Sequence, residues 1–236
     1  MPSLKTSGYS GTDNLEIMES ARNYNSFLAR QVAGRAPPRS DILDFGAGIG
    51  TFAKLLSEAQ HHVRCVEPDP TLRHHLAADG LSAYASLTEI RAGSLDYIYS
   101  LNVLEHIEDD LGALIELRSR LRVGGIILIY VPAFQILFSS MDRKVGHFRR
   151  YRRRRLIQLF HEAGIEPMEV RYCDSLGFFA TLAFKAFGNG EGRMSETGLI
   201  LYDRIFFPVS RLLDRLFCYL FGKNLLAIGR SADRRV

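Results

Sequence analysis

The stretch Asp41-Ile42-Leu43-Asp44-Phe45-Gly46-Ala47-Gly48-Ile49-Gly50 constrains this chain more than any other. Apolar residues suited to a buried strand run into three glycines at alternate positions, and a helical stretch opens at Thr51. A backbone that turns so tightly and lets a ligand approach has no room for Cβ atoms. The rhythm repeats downstream. Spacing predicts a helix over 51–59, a strand over 62–67 closed by Pro68 and Pro70, and a helix over 71–78. Strands at 82–85 and 95–101, a helix over 109–121 ending at Gly124-Gly125, and a strand over 126–131 follow. Continuous apolar strands alternating with helices indicate an α/β chain with a parallel sheet covered on both faces.

The remaining segments arrange themselves around that core. Residues 1–13 are polar and glycine-rich, and 14–33 read as one or two amphipathic helices closed by Pro37 and Pro38. A helix near 152–163, a strand at 165–173 and a last strand at 225–230 are expected. About 50 residues separate those two strands, where a hairpin needs about 2–5, so the intervening segment is a structural unit. We therefore expect a helical cover (1–40), a Rossmann-like core (41–173), an apolar helical insertion (174–223) and a last strand with its tail (224–236). In 199–221, sixteen of 23 residues are apolar, Arg204, Arg211 and Arg215 fall on one helical face, and Pro208 should kink or split the helix. Such a surface is a lid over an apolar substrate, a homodimer interface or a helix lying on a membrane surface.

Charge separates the two halves. Residues 1–140 carry a net charge of −4 and residues 141–236 one of +8. The second half is therefore matched to something anionic: a lipid surface, a phosphorylated substrate or a nucleic acid. Six of the residues 149–155 are arginines, but consecutive residues spread around a helix and cannot all face one ligand. With no basic groove, aromatic platform or known module beside them, a nucleic-acid partner is not expected. The three cysteines lie far apart with no Cys-x-x-Cys pair, so neither a disulfide framework nor a zinc knuckle is implied. The N-terminus lacks the apolar core of a signal peptide, and no uncharged apolar run reaches the ~18 residues of a membrane span. A cytoplasmic protein, peripheral to a membrane surface at most, is the expectation.

Glu67 stands 23 residues past Asp44, at the end of the second strand. A carboxylate there accepts two hydrogen bonds from a ribose diol. The glycine spacing is G-x-G-x-G rather than the G-x-G-x-x-G that presents a helix N-terminus to a pyrophosphate. Asp44, just before the turn, would repel a pyrophosphate and attract an ammonium or a sulfonium. The charge logic thus favours S-adenosylmethionine over NAD.

On these residues the chain resembles the class I S-adenosylmethionine-dependent methyltransferases of the small-molecule type. Ile42 to Gly50 looks like their first motif, Val66-Glu67-Pro68-Asp69 like the acidic end of the second strand, Leu95 to Ile107 like the fourth-strand motif, and Leu121 to Gly125 like the turn before the fifth strand. The resemblance implies a Rossmann-like, seven-stranded, mostly parallel sheet with 225–230 as an antiparallel seventh strand. It also implies S-adenosyl-L-methionine as cofactor and S-adenosyl-L-homocysteine as product. Asp44, Gly46, Ala47, Gly48 and Gly50 would wrap the cofactor, Glu67 and Pro68 would hold the ribose, and Ser86 and Leu87 would lie near the adenine. Position 86 departs from the acid often found there. Asn102 and Val103 would line the methionine end, with Tyr24 and Arg22 of a covering helix reaching its carboxylate.

Methyl transfer to oxygen gains from a base with a pKa near neutral. His106 and His147, after the fourth and fifth strands, are the candidates; His61, His62, His74 and His75 read as surface residues. No Cys/His/Asp cluster has metal-ligand spacing along the chain, so no metal is expected. Gly146-His147-Phe148-Arg149-Arg150-Tyr151 resembles a loop of a bacterial subgroup placed near glycan or lipid biosynthesis. Arg149, Arg150 and Tyr151 would there hold a phosphate or carboxylate of the substrate. The alternative is an Arg pair that bridges Asp142 or sheet-end carbonyls. The expected function is methyl transfer to a small-molecule or lipid- or glycan-linked acceptor, a hydroxyl first. A non-catalytic cofactor-binding regulator and a nicotinamide oxidoreductase are the rivals.

Overall fold

Strand β1 (Asp41–Phe45) is buried at every position but its first, as an apolar strand inside a two-faced sheet must be. It pairs in parallel with β2 (His62–Val66) on one side and β4 (Leu95–Leu101) on the other. β2 carries β3 (Ser82–Tyr84), and β4 carries β5 (Leu121–Pro132), again in parallel. β7 (Asn224–Ser231) then runs antiparallel between β5 and β6 (Ile165–Cys173). The sheet order is β3-β2-β1-β4-β5-β7-β6. The order reverses between β1 and β4, and a crevice opens at their carboxyl ends. This is the seven-stranded, mostly parallel Rossmann-like sheet expected above, with 225–230 as its antiparallel member. The computed structural model describes residues 20–187 and 196–232. The expectations for 1–19, 188–195 and 233–236 lie outside the described residues.

Alternate strand residues feed two cores. Ile98, Ile127 and Ile129 pack with α4 (Asp110–Arg120) and α6 (Arg153–Glu162) on one face. Tyr97, Tyr99 and Leu128 pack on the other with α1 (Arg22–Ala33), α2 (Thr51–Glu58) and α3 (Pro70–Ala78). One boundary differs from expectation. β5 starts at Leu121 rather than 126, because Leu121 already pairs with Leu95. The register shifts between Leu95 and Tyr97, and Gly124 takes φ +78°. Residues 122–125 have no partner in that pairing, so the Gly124-Gly125 turn is present as an excursion inside the bounds of β5.

The insertion between β6 and β7 is helical: α7 (Ser175–Phe187), α8 (Glu196–Leu201) and α9 (Phe207–Phe217). Pro208 does not split the rod. It lies in the first turn of α9, and the wide π-turn Tyr202–Phe206 joins it to α8. Proline offers no N–H to the preceding turn, and a locally widened helix accommodates that loss. Among the described residues no helix is long and apolar enough to cross a membrane.

The rod's amphipathicity is inverted. Its polar residues Asp203, Ser210 and Asp214 are buried, while Leu201, Ile205, Val209, Leu212, Leu216 and Leu220 are exposed, Leu216 at 75%. The buried acids cap other helices. The first N–H groups of a helix have no intrahelical acceptor. Ala21, at the N-cap of α1, cannot supply one, and Asp203 accepts from Asn23 N and Tyr24 N instead. Asp214 accepts from Asp174 N and Ser175 N at the start of α7, both at 2.9 Å. The three arginines do not form one basic stripe. Arg211 lies over the Phe27 ring and pairs with Asp214, whereas Arg204 and Arg215 are exposed.

Candidate active site

Gly46, Gly48 and Gly50 all take positive φ (80°, 55° and 79°). A Cβ on Gly46 would strike Val103, and one on Gly50 would strike Leu76, whereas one on Gly48 would meet nothing within 4 Å. Gly46 and Gly50 are required by packing as well as by backbone. Gly48 faces open space, the position where a ligand can lie against the main chain.

Glu67 closes this turn. It is 7% exposed, and its two oxygens accept from Gly48 N (2.8 Å) and Asp69 N (3.0 Å). Asp69 in turn caps α3 through Thr71 N and Leu72 N, and Arg73 donates to the carbonyls of Glu67 and Pro68. Each Glu67 oxygen keeps one lone pair for a ligand donor. Burial raises the Glu67 pKa despite those two amides. Asp44, also buried, accepts from Tyr99 OH at 2.7 Å. Burial pushes its pKa up to about 7, against the Tyr99 hydrogen bond. Glu67 thus holds the Gly48 amide, and Asp44, at the end of the neighbouring strand and within electrostatic reach of Glu67, adds a second acid to this end of the sheet. A diphosphate would be repelled here, and a ribose with a cationic tail fits.

Asp44 supplies a pH test. A cation bound beside it favours the ionised form. Affinity for such a ligand should therefore rise as pH climbs through about 7, with a proton released on binding below that value. The ligand-free fold should behave oppositely. Because the folded pKa exceeds the ordinary 3.8, Asp44's contribution to stability is complete below about 4 and is lost as pH rises to about 7. Calorimetry of S-adenosylhomocysteine in buffers of different ionisation enthalpy reads the proton. Asp44→Asn should abolish both its release and the pH dependence.

Across the crevice stand Tyr24 and Asn102. Tyr24 lies edge-on to Tyr130 and Phe207 with its hydroxyl directed to Asn102, and burial pushes that hydroxyl up to about 12. Asn102 is exposed at the end of β4 with φ +56°, a conformation asparagine tolerates better than most residues. Val103 packs onto Gly46, and Ala47 N donates to Val66 O. Arg22 is exposed. Ser86 and Leu87 use their side chains locally. Ser86 Oγ accepts from Thr88 N in a capping box with Glu89, and Leu87 is turned into the core.

The Arg149-Arg150-Tyr151 expectation needs correction. Arg150 grips the buried Asp142 with Nε (2.7 Å) and Nη2 (2.9 Å). Arg149 pairs with Asp110 and donates to Glu108 O. The Tyr151 hydroxyl, inside the core, donates to Leu104 O or Asp110. Arg149 and Tyr151 staple the loop after β5 to the loop after β4, and Arg150 ties the loop after β5 to itself, because buried polar groups take whatever complementary groups the fold brings within reach. The bridge to Asp142 and the carbonyls is therefore the arrangement present, in place of a substrate clamp.

His106 and His147 do meet, with ring centroids 4.5 Å apart. His147 Nδ1 is 2.8 Å from Asp142 Oδ1, and its Nε2 is 3.8 Å from Glu105 Oε1. Burial and the neighbouring His147 lower the His106 pKa to about 4, so its ring is neutral at pH 7 but only weakly basic. Burial raises Glu105 to about 8. Glu105 was not singled out from sequence, and Asp142 only as an alternative partner of the Arg pair, not of His147. The only available signal was their nearness to the two histidines. Of the four histidines read as surface residues, His62, His74 and His75 are exposed and His61 lies beside Ser40. A separate hollow of about 360 Å³ sits at the amino ends of the strands, lined by the paired charges Asp41, Arg64 and Arg122.

Comparison with known proteins adds three findings. The model of a family described as a methyltransferase domain matches residues 18–170. A Mycolicibacterium smegmatis protein named a probable S-adenosylmethionine-dependent methyltransferase is 29% identical over 160 residues, 64% of this chain and 58% of that protein. An uncharacterized methyltransferase of Mycolicibacterium gilvum is 27% identical over 128 residues, 51% of this chain and 50% of that one. The chain thus spans 50–58% of the length of these curated relatives. Among solved structures, the 1,6-didemethyltoxoflavin-N1-methyltransferase of Burkholderia thailandensis superposes with a TM-score of 0.58 at 17% identity, over 95% of this chain and 84% of that one. At that identity the likeness is one of fold.

Proposed function

This chain belongs to the methyltransferase-domain family, in its class I S-adenosylmethionine-dependent form, and we propose that it methylates a hydroxyl oxygen of a small, lipid- or glycan-linked acceptor. The observation that carries the cofactor reading is the pair of buried carboxylates at the ends of neighbouring strands: Glu67, which holds the amide of the open Gly48, and Asp44, within electrostatic reach of it. When bound, the cofactor supplies a sulfonium methyl: the acceptor oxygen forms the new C–O bond, the C–S bond breaks onto sulfur, and the hydroxyl proton departs.

The chain's own residues prepare that event. Glu67 accepts from the ribose diol, Asp44 faces the cationic end, and Tyr24 with Asn102 holds the methionine end and limits access of water. On the acceptor side His106 and His147 orient the hydroxyl or take its proton. Asp142 engages His147 Nδ1 and leaves Nε2 as the nitrogen that faces the acceptor. A regulator that only binds cofactor would need neither histidine, and a nicotinamide enzyme would need room for a diphosphate between the two acids.

The lipid-linked acceptor is supported by the inverted rod. Its outward apolar stripe runs from Leu201 to Leu220, its acids are buried, and Arg204 and Arg215 are exposed beside the stripe. Apolar side chains edged by cations suit the surface of an anionic bilayer, and a cytoplasmic protein held peripherally there would meet its acceptor at that surface.

Two measurements decide this reading. Methyl-labelled cofactor incubated with membrane extract should place label in an organic-soluble product, and label confined to aqueous products would overturn the lipid-linked acceptor. The chain should co-float with phosphatidylglycerol vesicles but not with phosphatidylcholine ones, and Leu212→Glu with Leu216→Glu should abolish flotation. A dimer seen by light scattering with no flotation would assign the stripe to a second copy instead.

A further inference from the structure

A carboxylate enclosed in a protein normally gathers hydrogen-bond donors or a cation. Glu105 is 0% exposed, and neither of its oxygens has a hydrogen-bond partner among the described residues. It sits in the short 3₁₀ turn Leu104–His106, so the His106 ring follows it directly. The loop after β5 closes over both, held by Phe148 N donating to Glu105 O, and brings in His147. One oxygen of Glu105 and one nitrogen of each ring lie within 4.8 Å of one another. Ligands about 2.0–2.2 Å from a common ion stand roughly 3–3.5 Å apart, so small side-chain rotations would close the set.

The surroundings are those a metal ligand needs. His147 Nδ1 is engaged by Asp142 Oδ1, which turns the Nε2 lone pair toward Glu105. Metal-binding histidines are oriented by such a carboxylate on the far nitrogen. Asp142 is itself held by Arg150 and by Ser139 N. His106 hydrogen-bonds to the backbone at Val145 and Gly146. A neutral imidazole that donates from one nitrogen keeps the other as an acceptor. Two imidazoles and one carboxylate suit first-row transition ions better than magnesium or calcium, which prefer oxygen throughout.

We propose that Glu105, His106 and His147 bind one divalent first-row transition-metal ion at the acceptor side of the crevice. The absence of a metal expected above rested on spacing along the chain, which does not register two histidines that the loops after β4 and β5 bring together. Three protein ligands leave a position open for an acceptor oxygen, and a metal-bound hydroxyl loses its proton more readily, so with the ion bound the two histidines orient the hydroxyl through the metal and do not themselves take its proton. That use of the ion rests on the methyl-transfer reading. The ion site itself does not.

The test is metal titration of the chelator-treated full chain, with neither cofactor nor acceptor present. Zn²⁺ calorimetry should give one ion per chain, and Co²⁺ should give a visible absorption band that Zn²⁺ displaces. Glu105→Gln and His147→Ala should each weaken binding by about 100-fold or more. Asp142→Asn should weaken it by about 10–100-fold, and the surface double variant His74→Ala/His75→Ala should leave it unchanged. Thermal unfolding of each variant separates lost ligation from lost folding. Should Glu105→Gln not fold, His147→Asn on the partly exposed rim reads the same site. No stoichiometric binding, or binding undiminished in Glu105→Gln and His147→Ala, overturns the proposal and leaves Glu105–His147 as a buried pair. Failure here does not touch the cofactor reading, which S-adenosylhomocysteine calorimetry tests independently.

Discussion

Glu67→Ala is expected to weaken S-adenosylhomocysteine binding by about 100-fold or more in calorimetry. The carboxylate serves two purposes at once. It receives Gly48 N and Asp69 N, which shapes the turn, and it keeps a lone pair on each oxygen for the ribose. Hydrogen bonds to a charged group are worth about 1.5–3 kcal/mol each. Losing the two to the ribose, with water replacing part of the loss, corresponds to about 3 kcal/mol. The orphaned Gly48 amide then adds disorder at the point where the ligand meets the backbone. Glu67→Gln should fall between, since an amide accepts through one end only and presents a donor to another. Affinity unchanged in Glu67→Ala would remove this residue from the site and, with it, the ribose reading of the crevice.

Asp142→Ala is the substitution expected to damage the fold most. Its carboxylate is almost fully buried and joins Arg150, His147 and Ser139. Burial alone would raise its pKa, but the hydrogen bonds from His147 and Arg150 outweigh that and hold it well below the usual carboxylate range. Removing one member of a buried pair strands the other, at a cost of about 3–5 kcal/mol. For a chain of this size that corresponds to a fall in the unfolding midpoint of roughly 10 °C. The double variant Asp142→Ala/Arg150→Met should recover part of the loss, because it leaves no unpaired guanidinium. A midpoint that does not move in Asp142→Ala would show that this charge network inside the loop after β5 contributes nothing to stability.

Local patterns were legible where burial follows period. β1 and β4 have the bounds that their apolar runs imply, and β6 spans the expected 165–173. The Gly46–Gly50 turn was legible because positive φ leaves a residue-type signature, and Glu67 because it stands at a strand end. The antiparallel place of β7 was readable only through family likeness, since an apolar octet carries no direction. Gly124-Gly125 was legible as a turn because two adjacent glycines usually make one, but only the pairing of Leu121 with Leu95 shows that β5 begins before it.

The acceptor side was far less legible. Arg149 and Arg150 advertise anion binding, yet Asp110 and Asp142 of this same chain are the anions they meet. In α8–α9 the hydrophobic pattern was visible, but which face it would bury was not. Asp203 and Asp214 go inward because the helix starts at Asn23 and Ser175 need acceptors there, and the leucines are left outside.

The amino-acid order by itself determined the parallel α/β core, the glycine turn and the acid that closes it, because each depends on residues adjacent along the chain or at a strand end. Only tertiary structure decided that Glu105, His106 and His147 share one buried space, that Arg150 is spent on Asp142, and that the insertion wears its apolar side outward. Those outcomes depend on which loops and helix ends come together in space, and local sequence does not encode the charge or hydrogen-bonding need of a distant neighbour.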